Sequence, residues 1–213
     1  HRRGMVALRH VTRAASDLGI EALTVYGFST ENWNRDAREI SLLFELCVYF
    51  ARNELIELRR NNVRVRVIGE WESLPPAPRG ALADLQSETA GNTGLVLNLA
   101  VNYSSHAELE RAVRAIASDV AGGKLAPESI DEALISEYLY TAEMPELDLL
   151  IRPGGEHRLS NFLLYQAAYA ELVMVDVYWP EFSKEDLIRA LIVFQQRERR
   201  FGGTWPGDAS SWA

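Results

Sequence analysis

An apolar run from Ala22 to Phe28 stops abruptly at Ser29-Thr30-Glu31-Asn32-Trp33-Asn34-Arg35, and an amphipathic helical pattern starts at Ala37. Few folds accommodate that order. A buried strand that empties into a polar loop before a helix is the repeating unit of open α/β sheets, which place their ligands at such loops. The loop carries two hydroxyls, a carboxylate, two amides, an indole and a guanidinium. It reads as one half of a site. The other half is a later polar stretch that also follows an apolar run, Arg152-Pro153-Gly154-Gly155-Glu156-His157-Arg158-Leu159-Ser160.

The alternation recurs along the chain. Periodicity predicts a helix over residues 3–18, with Met5, Leu8, Val11, Ala15 and Leu18 on one face and Gly19 as its stop. A strand over 21–28, a helix over 37–60 and a strand over 63–68 follow. Three prolines mark 71–79 as a loop before a helix over 80–89. The near-continuous apolar run 95–101 predicts a strand buried on both faces. Helices reaching 121 and over 129–138, a strand over 147–151, a helix over 162–169 and a strand over 172–177 come next. Ser183 caps a last helix reaching about Arg200. Strands alternating with helices predict one α/β domain, a mainly parallel central sheet flanked by helices. Residues 1–203 are expected to form it, with 204–213 as a flexible tail.

A net charge of −8 argues against non-specific nucleic-acid binding. Among the basic residues only Lys124 and Lys184 are lysines, and arginine is the better bidentate partner for phosphate or carboxylate. Cys47 is the one cysteine, so the sequence holds no disulfide pair and a reducing cytoplasm fits. Its apolar surroundings predict a packed thiol. No apolar run approaches the length of a membrane span. The sequence starts at His1 directly in helix-like residues, so further residues are expected upstream.

Three strand ends lead into polar loops: Ser29 to Arg35, Asn102 to His106, and Arg152 to Ser160. In a parallel sheet all three lie on one edge. They offer Arg35, Arg152 and Arg158 with the hydroxyls of Ser29, Thr30 and Ser160, and His1 and His157 as neighbours. Guanidinium forks, hydroxyls and loop amides are what a diphosphate requires. Gly154-Gly155 lets the backbone approach an anion. The competing reading leaves one arginine on the surface and pairs another with a local carboxylate such as Glu156. Walker A, dinucleotide-binding, zinc-ligand and nucleophile-elbow patterns are absent from the sequence. Glu171, just before the last strand, would either hold Mg²⁺ on a phosphate ligand or form a surface ion pair. The helical stripe Leu43, Phe44, Leu46, Cys47 and Phe50 would line an apolar channel or be plain core.

Phe28-Ser29-x-Glu31-Asn32-Trp33-x-Arg35, Asn102-Tyr103, Ile151-Arg152-x-Gly154-Gly155-Glu156-x-Arg158-x-Ser160-x-Phe162, Tyr169-Ala170-Glu171-Leu172, Trp179-Pro180-x-Phe182 and Arg197-x-Arg199-Arg200-Phe201-Gly202 resemble, in order, the motifs of the cis-prenyltransferases. The resemblance covers roughly residues 1 to 203. It implies that isopentenyl diphosphate condenses with an allylic diphosphate, with Mg²⁺ helping the allylic diphosphate to leave and the new double bond cis. An apolar tunnel for the growing chain is part of the implied fold. By position, Asn32 matches the residue that assists proton removal. Ser29, Thr30, Glu31, Trp33 and Arg35 match the allylic site, and Arg152, Arg158, Leu159 and Ser160 the isopentenyl diphosphate site. Glu171 matches a metal-associated glutamate and His1 a substrate-side histidine. The Arg200-Phe201-Gly202 end implies a homodimer. A cytoplasmic enzyme with peripheral membrane association for product release follows from the same likeness.

Departures from the family pattern are expected to matter. Its Asp-Gly-Asn-x-x-Arg-Trp motif lies upstream of the histidine and is not in this sequence, so the natural protein is expected to contain it. The usual Arg-Thr-(Gly/Ser)-Gly reads Arg152-Pro153-Gly154-Gly155, and the usual Asn-Tyr-Gly-Gly-Arg reads Asn102-Tyr103-Ser104-Ser105-His106. Pro153 removes an N–H and a hydroxyl beside the anion site. Ser104 and Ser105 exclude backbone angles open to glycine. Irregular head-to-middle coupling, or a non-catalytic partner subunit, are the alternatives these features raise. Gly27, Cys47 and Leu95 fall where the tunnel is expected, and the small size of the first two favours medium or longer products.

Overall fold

The computed structural model describes residues 2–197. His1, Arg200-Phe201-Gly202 and the tail from 204 lie outside the described residues, and the last helix, predicted to reach about Arg200, ends at Gln195. Helix α1 (Arg2–Asp17) gives way to strand β1 (Ala22–Ser29) through Gly19, whose φ of 71° ends the helix without steric cost. Helix α2 (Ala37–Arg60) starts where Asp36 accepts from the Arg38 N–H. Strand β2 (Arg64–Ile68), helix α3 (Pro76–Thr89), strand β3 (Val96–Tyr103) and helix α4 (Ser105–Ala121) follow. The chain then forms α5 (Glu132–Glu137), β4 (Leu149–Pro153), β5 (Glu171–Val175) and α6 (Lys184–Gln195).

Every strand pairing is parallel, as the alternation predicted. The strands form two groups among the described residues, β1-β3-β2 and β4-β5, in place of one continuous sheet. Strand β3 is the centre of the first group and is buried along nearly its whole length. Its Leu97, Leu99 and Val101 enter a large core with Leu8 and Val11 of α1, Phe50 and Leu58 of α2, and Leu82 and Leu85 of α3. Its Ala100 and Tyr103 join a smaller cluster with Ile68 and Leu163. Each fully buried leucine in that arrangement contributes roughly 1.5–3 kcal/mol relative to exposure.

Three element boundaries differ from the periodicity. Helix α3 begins at Pro76, inside the stretch predicted as loop, because prolines fit a first helical turn whose N–H groups lack partners anyway. The helix predicted over 129–138 is a 3₁₀ turn (Pro127–Ser129) followed by α5. Most important, 162–169 is not a helix. Ser160, Asn161 and Leu163 have φ of 51°, 60° and 47°, in the left-handed region, and only Gln166–Tyr169 makes a 3₁₀ turn. The stripe on α2 is packed core: Leu46 and Phe50 are buried, and Leu43, Phe44 and Cys47 are half-buried against the same cluster. Leu95 is buried in that cluster too. Burial pushes the Cys47 thiol up to about 11, so it is a packed thiol, as its surroundings predicted.

Candidate active site

A cleft of about 710 Å³ opens where β1 and β4 end. Ser29 at the end of β1 lines it with Glu31, Asn32 and Arg35 of the loop that follows, and Arg152 of β4 with Glu156, Arg158, Ser160 and Asn161 of the loop after that strand. Tyr26, Gly27 and Phe28 of β1 complete the lining. The two halves singled out in the sequence therefore meet, on the edge where parallel strands deliver their C-terminal loops.

The loop after β1 is a 3₁₀ turn (Thr30–Asn34). Asn32 Oδ1 accepts from the Ser29 N–H at 3.0 Å. That bond fixes the amide: its oxygen faces the backbone, and its Nδ2 donors are left for the cleft. Trp33 is held in place by edge contacts with Phe28 and Phe44 and by its Nε1–H, which donates to Asn102 Oδ1 at 2.8 Å. Arg35 donates to Glu39 at 2.6 Å, one helical turn away. Burial would raise the Glu31 carboxyl. The bond from Asn161, the backbone of its own turn, and Ser29 and Thr30 outweigh burial and hold it below the usual carboxylate range.

Arg152 of β4 and Arg158 of the loop after it both bind one carboxylate, Glu156. The Nε of Arg152 is buried with no hydrogen-bond partner among the described residues. Hydrogen bonds from Arg152 and Arg158 and their charges hold the Glu156 carboxyl below its ordinary value. The competing pairing with Glu156 is thus present, and it gathers two guanidinium groups at the cleft instead of dispersing them. The glycine amides do not cradle an anion here. Gly154 N–H donates to Val177 O at 3.0 Å and Gly155 N–H to Val175 O at 2.9 Å, extending the β4-β5 pairing. Their φ values of 98° and 68° show why glycine is required: the turn away from β4 passes through the left-handed region. Pro153 is the last residue of β4, an edge strand of this pair, where a proline is tolerated.

The middle loop is scaffold, not wall. Asn102, at φ 50°, accepts from Trp33 and donates from Nδ2 to Glu70 O and Ser73 Oγ, both at 3.1 Å. Ser104 is extended, and its Oγ caps α4 by accepting from the Ala107 N–H. Ser105 Oγ accepts from the Leu164 N–H at 2.7 Å and meets the Tyr103 hydroxyl. The two serines expected to strain this turn instead supply its cap and brace, and neither has a positive φ. Beneath them Tyr103 donates to the fully buried Glu108 at 2.6 Å. Burial, then the Glu108 charge, pushes the Tyr103 phenol far up.

Four predicted site residues do not line the cleft. Thr30 reaches Glu31 at 3.4 Å, Trp33 donates to Asn102, and Leu159 is half-buried in its own turn. Glu171 opens β5 in register with Leu149, at the strand end opposite the loops, and accepts from Arg197 at 2.8 Å. Among the described residues no group of three or more His, Cys, Asp or Glu side chains is placed to hold a metal ion. No described helix is long and apolar enough to cross a membrane. Asn161 was passed over in the sequence as the unspecified residue after Ser160, although it lines the cleft and an asparagine is suited to left-handed backbone.

Residues 1–202 match the family model described as "Putative undecaprenyl diphosphate synthase". An isoprenyl transferase of Heliobacterium mobile is 49% identical over 203 residues, covering 95% of this chain and 78% of the relative. The ditrans,polycis-undecaprenyl-diphosphate synthase of Escherichia coli K12, specific for (2E,6E)-farnesyl diphosphate, is 46% identical over 211 residues, 99% of this chain and 83% of that protein. Among solved structures, lavandulyl diphosphate synthase from Lavandula x intermedia, in complex with dimethylallyl diphosphate, superposes with a TM-score of 0.91 at 34% identity, covering 95% of this chain and 87% of that one.

Proposed function

The chain belongs to the undecaprenyl diphosphate synthase family of prenyltransferases, and on that premise we propose that it condenses isopentenyl diphosphate with an allylic diphosphate at this cleft to give a cis-prenyl diphosphate. One observation carries the assignment of the site: Arg152 and Arg158 converge on the single carboxylate of Glu156, facing the Ser29–Arg35 loop across the cleft. A diphosphate presents more oxygens and more charge than that carboxylate. It would displace Glu156 and take up the unpartnered Arg152 Nε as well.

In this reading Arg152, Arg158 and the Ser160 hydroxyl hold isopentenyl diphosphate, and Ser29, Glu31 and Arg35 border the allylic diphosphate. Asn32 turns N–H donors toward the cleft, so it serves as a hydrogen-bond donor that orients a phosphate oxygen or a water during proton loss. An amide has no basicity for that proton itself. Gathering two diphosphates costs electrostatic repulsion, which preorganised guanidinium groups offset. The described residues do not form a Mg²⁺ site of their own, with Glu171 at the far strand end and bonded to Arg197. Mg²⁺ is commonly bound through substrate phosphates with one or two carboxylates, and would arrive here in that form. Bound so, it neutralises charge on the leaving diphosphate. Tyr26, Gly27 and Phe28 of β1 are the apolar part of the cleft lining offered to the hydrocarbon, at roughly 0.8 kcal/mol per buried methylene.

The protein is read as a cytoplasmic homodimer that meets the membrane peripherally to release product. Regular elongation is favoured over irregular coupling because the relatives at 46–49% identity are named isoprenyl transferase and undecaprenyl diphosphate synthase. The test is to incubate the full-length protein with labelled isopentenyl diphosphate and a series of allylic diphosphates, with Mg²⁺ and with chelator. Label entering an organic-soluble product only when both substrates and Mg²⁺ are present is the expected result. Product formed from two allylic diphosphates without isopentenyl diphosphate would replace this reading with irregular coupling, and no product at all would favour a non-catalytic partner.

A further inference from the structure

We propose that Asn161 is a positioning residue that locks the two substrate loops into one frame through its contact with Glu31. The inference rests on the cleft being the prenyl-transfer site. Asn161 makes three hydrogen bonds that tie its loop to two others. Its backbone carbonyl accepts from the Ser105 N–H at 2.9 Å, and its Oδ1 accepts from the His106 N–H at 3.1 Å. Its Nδ2 donates to Glu31 Oε1 at 2.8 Å, joining residues 130 positions apart across the cleft.

The orientation is forced. A backbone N–H at the start of α4 needs an acceptor, so the amide oxygen must face His106 and the amide nitrogen must face Glu31. The backbone agrees: φ of 60° lies in the left-handed region, which asparagine tolerates better than most residues. The segment is anchored downstream as well, where Leu164 N–H donates to Ser105 Oγ and Leu163 is buried. Asn161 is therefore tied to the start of α4 by two hydrogen bonds, and Glu31 is bonded to it.

A second consequence concerns the start of α4. Its first four N–H groups are occupied within the protein: Ser105 and His106 donate to Asn161, Ala107 to Ser104 Oγ and Glu108 to Ser104 O. This helix end does not bind substrate phosphate, and its dipole is spent on holding the loop. Ser160, the neighbour of Asn161, belongs to the isopentenyl side, and Glu31 to the allylic side. The Glu31–Asn161 bond thus sets the distance between the two bound substrates. Small misplacements of reacting groups are costly in rate, on the order of 10²-fold for 1 Å.

The test is a double-mutant cycle in the full-length protein. Asn161→Asp keeps the acceptor for His106 N–H and the left-handed preference but turns a carboxylate oxygen toward Glu31. Glu31→Gln restores a donor facing it. The expected result is that N161D lowers kcat/KM by about tenfold or more in the wild-type background, through kcat and both KM values, and by much less in the E31Q background. Equal cost in the two backgrounds, or an N161D enzyme with wild-type kinetics, would overturn the proposal. If N161D does not fold, as judged by thermal unfolding, Asn161→Gly in wild-type and Glu31→Ala backgrounds gives the same comparison. Inactivity of the wild-type protein itself would instead refute the prenyl-transfer reading.

Discussion

Arg152→Ala is the most informative substitution in the cleft. The side chain is 24% exposed, donates to the Glu156 carboxylate, and leaves its buried Nε without a partner among the described residues. That donor is oriented and already desolvated, so a phosphate oxygen binding to it meets a preorganised charged hydrogen bond. Such a bond contributes ~1.5–3 kcal/mol. At ~1.4 kcal/mol per tenfold, its loss raises the KM for isopentenyl diphosphate by about 12- to 150-fold. Because the diphosphate of that substrate is not the leaving group, kcat should change far less than KM. Arg152→Lys should fall between the two, since an ammonium keeps the charge but not the fork. Stability should barely move, as partly exposed ion pairs contribute only ~0–1 kcal/mol. The assay is initial rate against isopentenyl diphosphate at saturating allylic substrate, with thermal unfolding as control. An unchanged KM in a folded Arg152→Ala protein would remove this residue from the site.

Asn32→Asp preserves the acceptor for the Ser29 N–H but replaces the donors facing the cleft, so kcat should drop at least about tenfold with little change in unfolding temperature; wild-type turnover would show that those donors are unused. Between α1 and α2, Glu54 is buried and Arg9 is 44% exposed. Arg9→Ala strands the buried carboxylate and should cost about 3 kcal/mol, more than Glu54→Gln, which chemical denaturation would rank. Glu156 sits below its ordinary value of 4.5 because of hydrogen bonding to Arg152, with Arg158 adding to it. A carboxyl lowered in the folded state stabilises fully above its unfolded pKa and loses that contribution as pH falls through the folded one. Acid titration of stability should therefore be shallower in Glu156→Gln below about pH 4.5, and an identical profile would show that the contact contributes nothing.

The parallel α/β plan was legible because it depends on length, period and order: short apolar runs such as 22–28 and 95–101, bounded by polar turns, fit strands better than helices, and their C-terminal loops share one edge. What depends on tertiary contact was not legible. Residues 162–169 contain apolar side chains at helical spacing, yet Asn161 is held in left-handed backbone, and Leu164 tied to Ser105, by bonds to α4 that no local pattern encodes. Gly154 and Gly155 suggested free amides, but whether an N–H is free depends on the neighbouring strand, and β5 consumes both. Ser104 and Ser105 looked like losses of glycine freedom and prove to be a helix cap and a brace. The position of Glu171 was readable in principle, since the first residue of a parallel strand lies away from the loops that leave strand ends. Its bond from Arg197 is the ion pair that the sequence left open beside the metal role. The pairing of both arginines with Glu156 was open as an alternative, and the structure has it, with both guanidinium groups kept at the cleft.

The central claim is that this cleft joins an isopentenyl unit to an allylic chain with cis geometry. Mass spectrometry and NMR of the product formed from isopentenyl diphosphate and farnesyl diphosphate test it most directly. The expected product is a linear series spaced by whole isoprene units, with every added double bond cis. Trans double bonds, or a branched skeleton, would contradict it.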